Sequence, residues 1–319
     1  MPNENRTGSG ELVQAALAAR RFYVDGHTQL DIGREMGLSR FKVARLIEIA
    51  RREGIVRIEI VAPGGVDAEL STRLRDAYGL RRAMVVPAVE SGADEQLREQ
   101  LGEVAAELLR DLTGPDDVLG LAAGRTLNAM ARKLTDLRCR EIVQLTGMAG
   151  SLQENSLEVI RRASEVSGRP AVSIYAPLVL PDATTAASLR RDPGVQAAFR
   201  RFGDVSVAVV AVGSFDPPDS QMADALAEHD RRELGRLGAR AEVCAIPFDA
   251  GGRPVPGFAE RVLGIGVDQL TGVGEVLAVA GGARKSRAIR AALGTGLVTS
   301  LVTDSGTARQ LLDAAEAAG

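Results

Sequence analysis

The sequence predicts an α/β protein in two parts: a winged helix-turn-helix over residues 1–61 and a larger, doubly wound α/β domain over residues 67–319, joined by a linker at 62–66. Three observations lead there. Two helix-capping residues, Thr28 and Ser39, each precede an amphipathic run, with Gly37 between the runs. Beyond residue 66, short apolar runs that do not alternate with polar residues take turns with amphipathic segments, the pattern of a mainly parallel sheet covered on both faces. Charge divides the same way: residues 34–57 hold seven Lys/Arg against three Glu, in a chain whose net charge is −3.

Residues 1–10 are polar and expected to be disordered, and 11–23 form a first helix. Thr28 caps the second helix, whose Ile32 and Met36 lie four apart and share a face. Gly37 ends it, Leu38 plugs the turn, and Ser39 caps the third helix, where Val43, Leu46, Ile47 and Ala50 recur at helical spacing. Gly54 closes that helix in a left-handed cap, and the alternation over 56–60 predicts a wing strand. Arg40, Lys42 and Arg45 fall off the apolar stripe near the start of the third helix, the part that a recognition helix presents to base edges in the major groove. With Thr28, Gln29 and Ser39 at the two helix starts, they make up the expected DNA-binding set. A solvated basic face on an ordinary three-helix unit is the competing reading. Agreement between capping, turn, helix and charge favours DNA, because local excess positive charge steers towards phosphates.

The share of apolar and charged residues is that of a soluble globular protein. No apolar run approaches membrane-spanning length and the first residues are polar, so a cytoplasmic chain without membrane contact is expected. Cys139 and Cys244 lack CxxC spacing and read as buried thiols; with only His27 and His229 beside them, neither a metal site, nor a cofactor, nor a Ser-His-Asp triad is expected.

In the second part, strand-like runs fall at 83–87, 118–121, 141–145, 172–175, 205–212, 242–248, 276–280 and 298–303. Helical segments fall at 95–112, 127–134, 157–165, 219–237 and 285–293. Open α/β sheets bind ligands beyond the carboxyl ends of their strands. Three such ends carry glycine and polar groups: Gly124-Arg125-Thr126, Thr146-Gly147-Met148, and Gly281-Gly282 with Lys285 close behind. Glycine lets backbone amides approach an anion, a helix start adds positive dipole, and Arg or Lys supplies charge-assisted bonds. Glu242 and Asp249 flank the run 243–248 and could accept bonds from sugar hydroxyls, although Asp249 sits in a Phe-Asp-Ala-Gly-Gly-Arg-Pro run that is turn chemistry in its own right. A polar, anionic small molecule is the ligand class these residues suggest. Gly264-Ile265-Gly266 is not completed as a dinucleotide fingerprint, since position 269 is Gln, and no Walker lysine motif is present.

Taken together, these motifs resemble the SorC family of bacterial transcriptional regulators, also labelled DeoR-like. The resemblance runs nearly the whole length. It is strongest over 28–60, at Gly-Arg-Thr-Leu (124–127), at Phe-Asp-Ala-Gly-Gly-Arg-Pro-Val (248–255), and from 278 onward. It implies an effector domain similar to phosphosugar isomerases that serves as a sensor, a sugar, polyol or sugar phosphate as effector, operator DNA as partner, and usually a tetramer held through the effector domain. Carried over position by position, the family's effector contacts fall on Gly124, Arg125, Thr126, Thr146, Gly147, Met148, Glu242 and Lys285. Two departures stand out. The Ser-Trp that often precedes the family's Gly-Arg-Thr is Ala122-Ala123 here, which removes a stacking surface, and Thr146 stands where some members have a basic residue, which weighs against a bisphosphate.

The expectation is therefore a regulator and not an enzyme, at least dimeric to match palindromic half-sites. The alternative is a phosphosugar isomerase or deaminase with an appended DNA-binding module. Proton transfer between carbons wants a placed carboxylate or histidine, and neither histidine lies at a predicted strand end.

Overall fold

The computed structural model describes residues 9–57, 65–90, 92–149 and 156–317, and contacts divide the chain into two units, Met1–Val61 and Ala62–Gly319. In the first unit three helices, α1 (Ser9–Tyr23), α2 (Gln29–Met36) and α3 (Arg40–Arg52), enclose a small core. Thr28 Oγ1 accepts from the Asp31 amide at 3.2 Å and Ser39 Oγ accepts from the Lys42 amide at 3.2 Å, so each helix starts where a side chain satisfies an otherwise orphaned donor. Gly37 ends α2 in the left-handed conformation. Ala15, Ala18 and Ala19 of α1 meet Val43, Leu46, Ile47 and Ala50 of α3, with Ile32 of α2 completing the cluster. Val56 and Arg57 are irregular, and the rest of the expected wing, 58–60, lies outside the described residues.

The second unit is built on eleven described strands: β1 (Arg82–Val86), β2 (Val118–Leu121), β3 (Glu141–Gln144), β4 (Ala171–Val172), β5 (Val207–Val210), β6 (Val212–Phe215), β7 (Pro218–Asp219), β8 (Ala241–Val243), β9 (Ile246–Phe248), β10 (Glu275–Val279) and β11 (Ser300–Asp304). Seven form one parallel sheet in the order β1-β11-β10-β5-β2-β3-β4. Strands β2, β5, β10 and β11 are buried at every position, which is why β2, β5 and the β10 positions after Glu275 run apolar without alternating. The helices between them are α4 (Ala68–Tyr78), α5 (Asp94–Leu112), α6 (Arg125–Lys133), α7 (Ser156–Ser167), α8 (Ala183–Leu189), α9 (Pro193–Arg201), α10 (Gln221–Ala225), α11 (Glu228–Arg236), α12 (Val267–Thr271), α13 (Ser286–Gly294) and α14 (Ser305–Glu316). They group by contact into α5–α6–α7 and α4–α14–α13, as a doubly wound sheet requires.

Three expected elements are different in the structure. The run 205–212 divides at Ala211 into β5, inside the parallel sheet, and β6, outside it. The run 242–248 is not one strand but the hairpin β8–β9, because Cys244 and Ala245 both take positive φ (51° and 61°) and turn the chain back between Val243 and Ile246. The long helix expected over 219–237 breaks into α10 and α11 at Leu226-Ala227, where both residues are extended. Strands β7-β6-β8-β9 form a second, antiparallel sheet.

Strand order fixes where a ligand can enter. From β2 the chain steps outward through β3 to β4, then returns to β5 beside β2 and continues the other way through β10 and β11. The direction reverses between β2 and β5, which opens a crevice at their carboxyl ends.

Candidate functional site

An open polar cleft lies at that crevice. Its floor is the turn from β2 into α6. A Cβ built on Gly124 would lie 2.7 Å from the Cβ of Ala211, so only glycine lets the loops after β2 and β5 abut. Helix α6 then begins at Arg125 with no side-chain cap, leaving the positive end of its dipole on the cleft, and Arg125 and Thr126 both line it.

Asp219 of β7 stands between the two cations. Arg125 Nη2 donates to its Oδ1, and Lys285, at the end of the loop after β10, lies with Nζ 3.2 Å from Oδ2. Burial alone would raise the Asp219 pKa, but Lys285 and Arg125 together more than offset it and hold this carboxyl below the usual carboxylate range. Burial pushes the Lys285 ammonium down, opposed by attraction to Asp219 and Glu242. Glu242 of β8 also lines the cleft. Its Oε2 accepts from the Ala245 amide at 2.8 Å and its Oε1 accepts from the Ser220 hydroxyl at 3.2 Å. Burial nevertheless raises the Glu242 carboxyl above its ordinary range, against those two bonds and Lys285. The two left-handed residues of the hairpin turn therefore have a use: they aim the Ala245 N–H at Glu242 and fix its rotamer. The result gathers two cations and a buried, protonatable carboxyl in one cleft, which suits an anionic group carried on a hydroxylated body.

Comparison with known proteins fits that chemistry. Residues 65–313 match the Sugar-bind family, described as "Putative sugar-binding domain". The chain is 30% identical to the transcriptional regulator LsrR of Klebsiella pneumoniae over 97% of its own length and 96% of that protein. It is 29% identical to the uncharacterized transcriptional regulator YjhU of Escherichia coli, covering 91% and 92% of the two chains. The chain belongs to the SorC family of sugar-binding transcriptional regulators. Among solved structures, a domain of a possible sugar-binding transcriptional regulator from Arthrobacter aurescens aligns with a TM-score of 0.70 at 27% identity, over 79% of this chain and all but 1% of that one (99%). The full-length sorbitol operon regulator SorC from Klebsiella pneumoniae shares the fold, with a TM-score of 0.71 at 22% identity over 95% of this chain and 100% of that one.

Within this SorC-family fold, the cleft gathers Gly124, Arg125, Thr126, Glu242 and Lys285 from the expected set. The remaining expected residues lie elsewhere. Beyond β3, the Gly147 amide donates to Leu263 O at 2.7 Å and the Met148 amide to Ala176 O at 2.8 Å, so Thr146, Gly147 and Met148 are woven into neighbouring backbone and do not line the described cleft around Asp219. Asp249 closes its own turn, accepting from the Gly251 amide at 2.8 Å and the Arg253 amide at 2.9 Å. At Gly281-Gly282, the Gly282 amide already donates to Asp304 Oδ2 at 2.6 Å, and the other Asp304 oxygen caps α14. That loop positions Lys285 without offering the Gly282 amide to a ligand.

Sequence reasoning missed Arg98 of α5, Asp219 and Ser220, which also line the cleft. Asp219 and Ser220 were readable in part. Ser220 caps α10 by accepting from the Ala223 amide at 3.1 Å, and a cap at 220 places Asp219 outside the helix.

In the first unit, Arg40 and Arg45 are exposed, with the Arg40 guanidinium 4.9 Å from the centre of the exposed Phe41 ring. Lys42 is instead tied to Glu11 of α1, Nζ to Oε1 at 2.7 Å. Gln29 opens α2 and is half-buried, while Thr28 and Ser39 spend their side-chain oxygens on capping. Among the described residues no grouping of His, Cys, Asp and Glu could hold a metal ion, and no helix is long and apolar enough to cross a membrane.

Proposed function

We propose that this protein is a cytoplasmic one-component regulator of carbohydrate metabolism whose operator binding is set by a sugar phosphate seated in the β2/β5 cleft. One observation carries the reading: Arg125 and Lys285 converge on Asp219 from different strand ends at the topological switch point, in a cleft that Glu242 also lines. The phosphoryl group belongs with the two cations and the uncapped start of α6, and the hydroxyls belong with Glu242 and Thr126. Arg40 and Arg45 of α3 are the groups exposed for operator DNA. Effector binding then shifts the balance between DNA-competent and incompetent assemblies, for which a coupling of about 1–3 kcal/mol is enough to change occupancy severalfold to a hundredfold. A dimer or tetramer is expected, since one small helix-turn-helix contacts few phosphates.

A sensor fits better than a phosphosugar isomerase. Asp219 is charge-paired with two cations, which leaves it a poor base for moving a proton between carbons. The curated relatives are named as regulators.

A thermal-shift screen of the full chain against sugars, polyols and sugar phosphates identifies the effector class. Calorimetry with the strongest hit then tests Lys285→Ala, which is expected to weaken it by about one to two decades, the equivalent of a charge-assisted bond. Effector-free operator affinity stays as in wild type. Equal effector affinity in mutant and wild type removes Lys285 from the site.

A further inference from the structure

The effector cleft already contains an anion of its own. Asp219 uses both carboxylate oxygens, one for Arg125 and one for Lys285, which is the contact set that two oxygens of a phosphoryl group would make. This differs from the ion pairs that merely hold the fold together. Asp230 and Arg261 also form a two-pronged pair, at 2.8 and 2.7 Å, but the Asp230 side chain is 7% exposed and Arg261 makes a further bond to Leu180 O. Asp219 is 32% exposed, open to the cleft, and set on a two-residue strand at the edge of the antiparallel sheet, where only β6 pairs with it.

Resting on the effector-site reading above, we propose that Asp219 is an internal counter-ion: it fills the anion seat of the effector-free cleft and is exchanged for the effector's phosphoryl group. Two cations converging on one seat repel each other, and a carboxylate between them keeps both in place until the ligand arrives. Exchange also has a mechanical readout. The next residue, Ser220, caps α10 and donates to Glu242, so movement of Asp219 on its release is passed through Ser220 to the hairpin that holds Glu242. A ligand without an anionic group would leave Asp219 where it is. Asp219 is thus a specificity determinant as well as a latch.

The test is calorimetric titration of the full chain with inorganic phosphate, in a phosphate-free buffer at low ionic strength. Wild type binds weakly, because phosphate must displace Asp219. Asp219→Asn and Asp219→Ser, which remove the competing charge, are expected to bind at least about tenfold more tightly, while Asp219→Glu, which restores it, stays near wild type. Using both neutral variants keeps the result readable if one of them folds poorly. Unchanged or weaker phosphate binding in the neutral variants, with Lys285→Met still abolishing it, overturns the exchange and leaves the cleft as an anion site in which Asp219 is a fixed orienting group. Phosphate affinity indifferent to Lys285→Met, or no phosphate binding by any variant, overturns the seat itself and the exchange with it.

Discussion

Gly102, in the middle of α5, sets two opposing rules against each other. Replacing a mid-helix glycine with alanine lowers the entropy cost of helix formation and ordinarily stabilises by about 0.5–1 kcal/mol. Here the added methyl would lie 2.6 Å from the Met130 amide nitrogen, 2.7 Å from the Ala129 carbonyl carbon and 3.1 Å from the Ala129 Cβ. Carbon contacts are comfortable at about 3.5–4.0 Å, so α6 must retreat by about 1 Å. Backbone stands in the way, and no side-chain rotamer can relieve it. Overpacking of this kind costs about 1–3 kcal/mol, and a rigid obstacle places it in the upper half of that range. The packing term wins, leaving Gly102→Ala destabilised by roughly 1–2 kcal/mol, or about 2–8 °C in Tm for a domain of this size. Because α6 begins at Arg125, the same retreat pulls the guanidinium out of line with the cleft, and phosphate affinity falls with stability. Differential scanning calorimetry, followed by the phosphate titration described above, measures both. A raised Tm would show that α5 and α6 separate freely and would refute the argument.

Ser39→Ala removes the acceptor for the Lys42 amide and is expected to lower the stability of the first unit by about 1 kcal/mol, seen as a lower denaturant midpoint. Arg40→Ala is expected to weaken operator binding by about 1–3 kcal/mol in titrations at fixed salt, the worth of one bidentate base contact; an unchanged affinity would remove Arg40 from the interface. Asp230 governs acid stability. Its pKa is depressed chiefly by the hydrogen bonds from Arg261, so the stability it contributes is present above the ordinary carboxylate range and is lost as pH falls through that range to the lower folded value. Asp230→Asn is expected to lower stability by about 3 kcal/mol near neutral pH, where it leaves the largely buried Arg261 without its counter-charge, and to flatten the fall in Tm towards acid.

Local physics was legible in the sequence and convergence was not. Thr28, Ser39 and Gly37 act within a few residues of themselves, so capping and the left-handed stop could be read directly, as could the fully apolar β2 and β5. The β8–β9 hairpin was hidden because its turn uses Cys244 and Ala245 where glycine or asparagine would have announced positive φ. Glycine after a strand also says nothing about which carbonyl or carboxylate will meet it: the Gly282 amide turned out to serve Asp304, and Gly147 turned out to face the 176–178 backbone. Asp219 was missed for a related reason. Its partners are Arg125 and Lys285, brought together only by the reversal of strand order between β2 and β5.

The Glu11–Lys42 pair bears on how the proposed DNA-binding unit would search a chromosome. Non-specific affinity comes from counterions released by each neutralised phosphate, with about 0.9 of log-log salt slope per contact on duplex DNA. A lysine held at 2.7 Å by a carboxylate on the neighbouring helix contributes little to that release. If that face meets DNA as proposed, it grips duplex less tightly than its count of cations suggests, while Arg40 and Arg45 stay exposed on α3. Phosphate contacts carry no sequence information, so on the proposed reading Glu11→Gln would free Lys42, strengthen binding to operator and random duplex alike, and steepen the salt dependence of both.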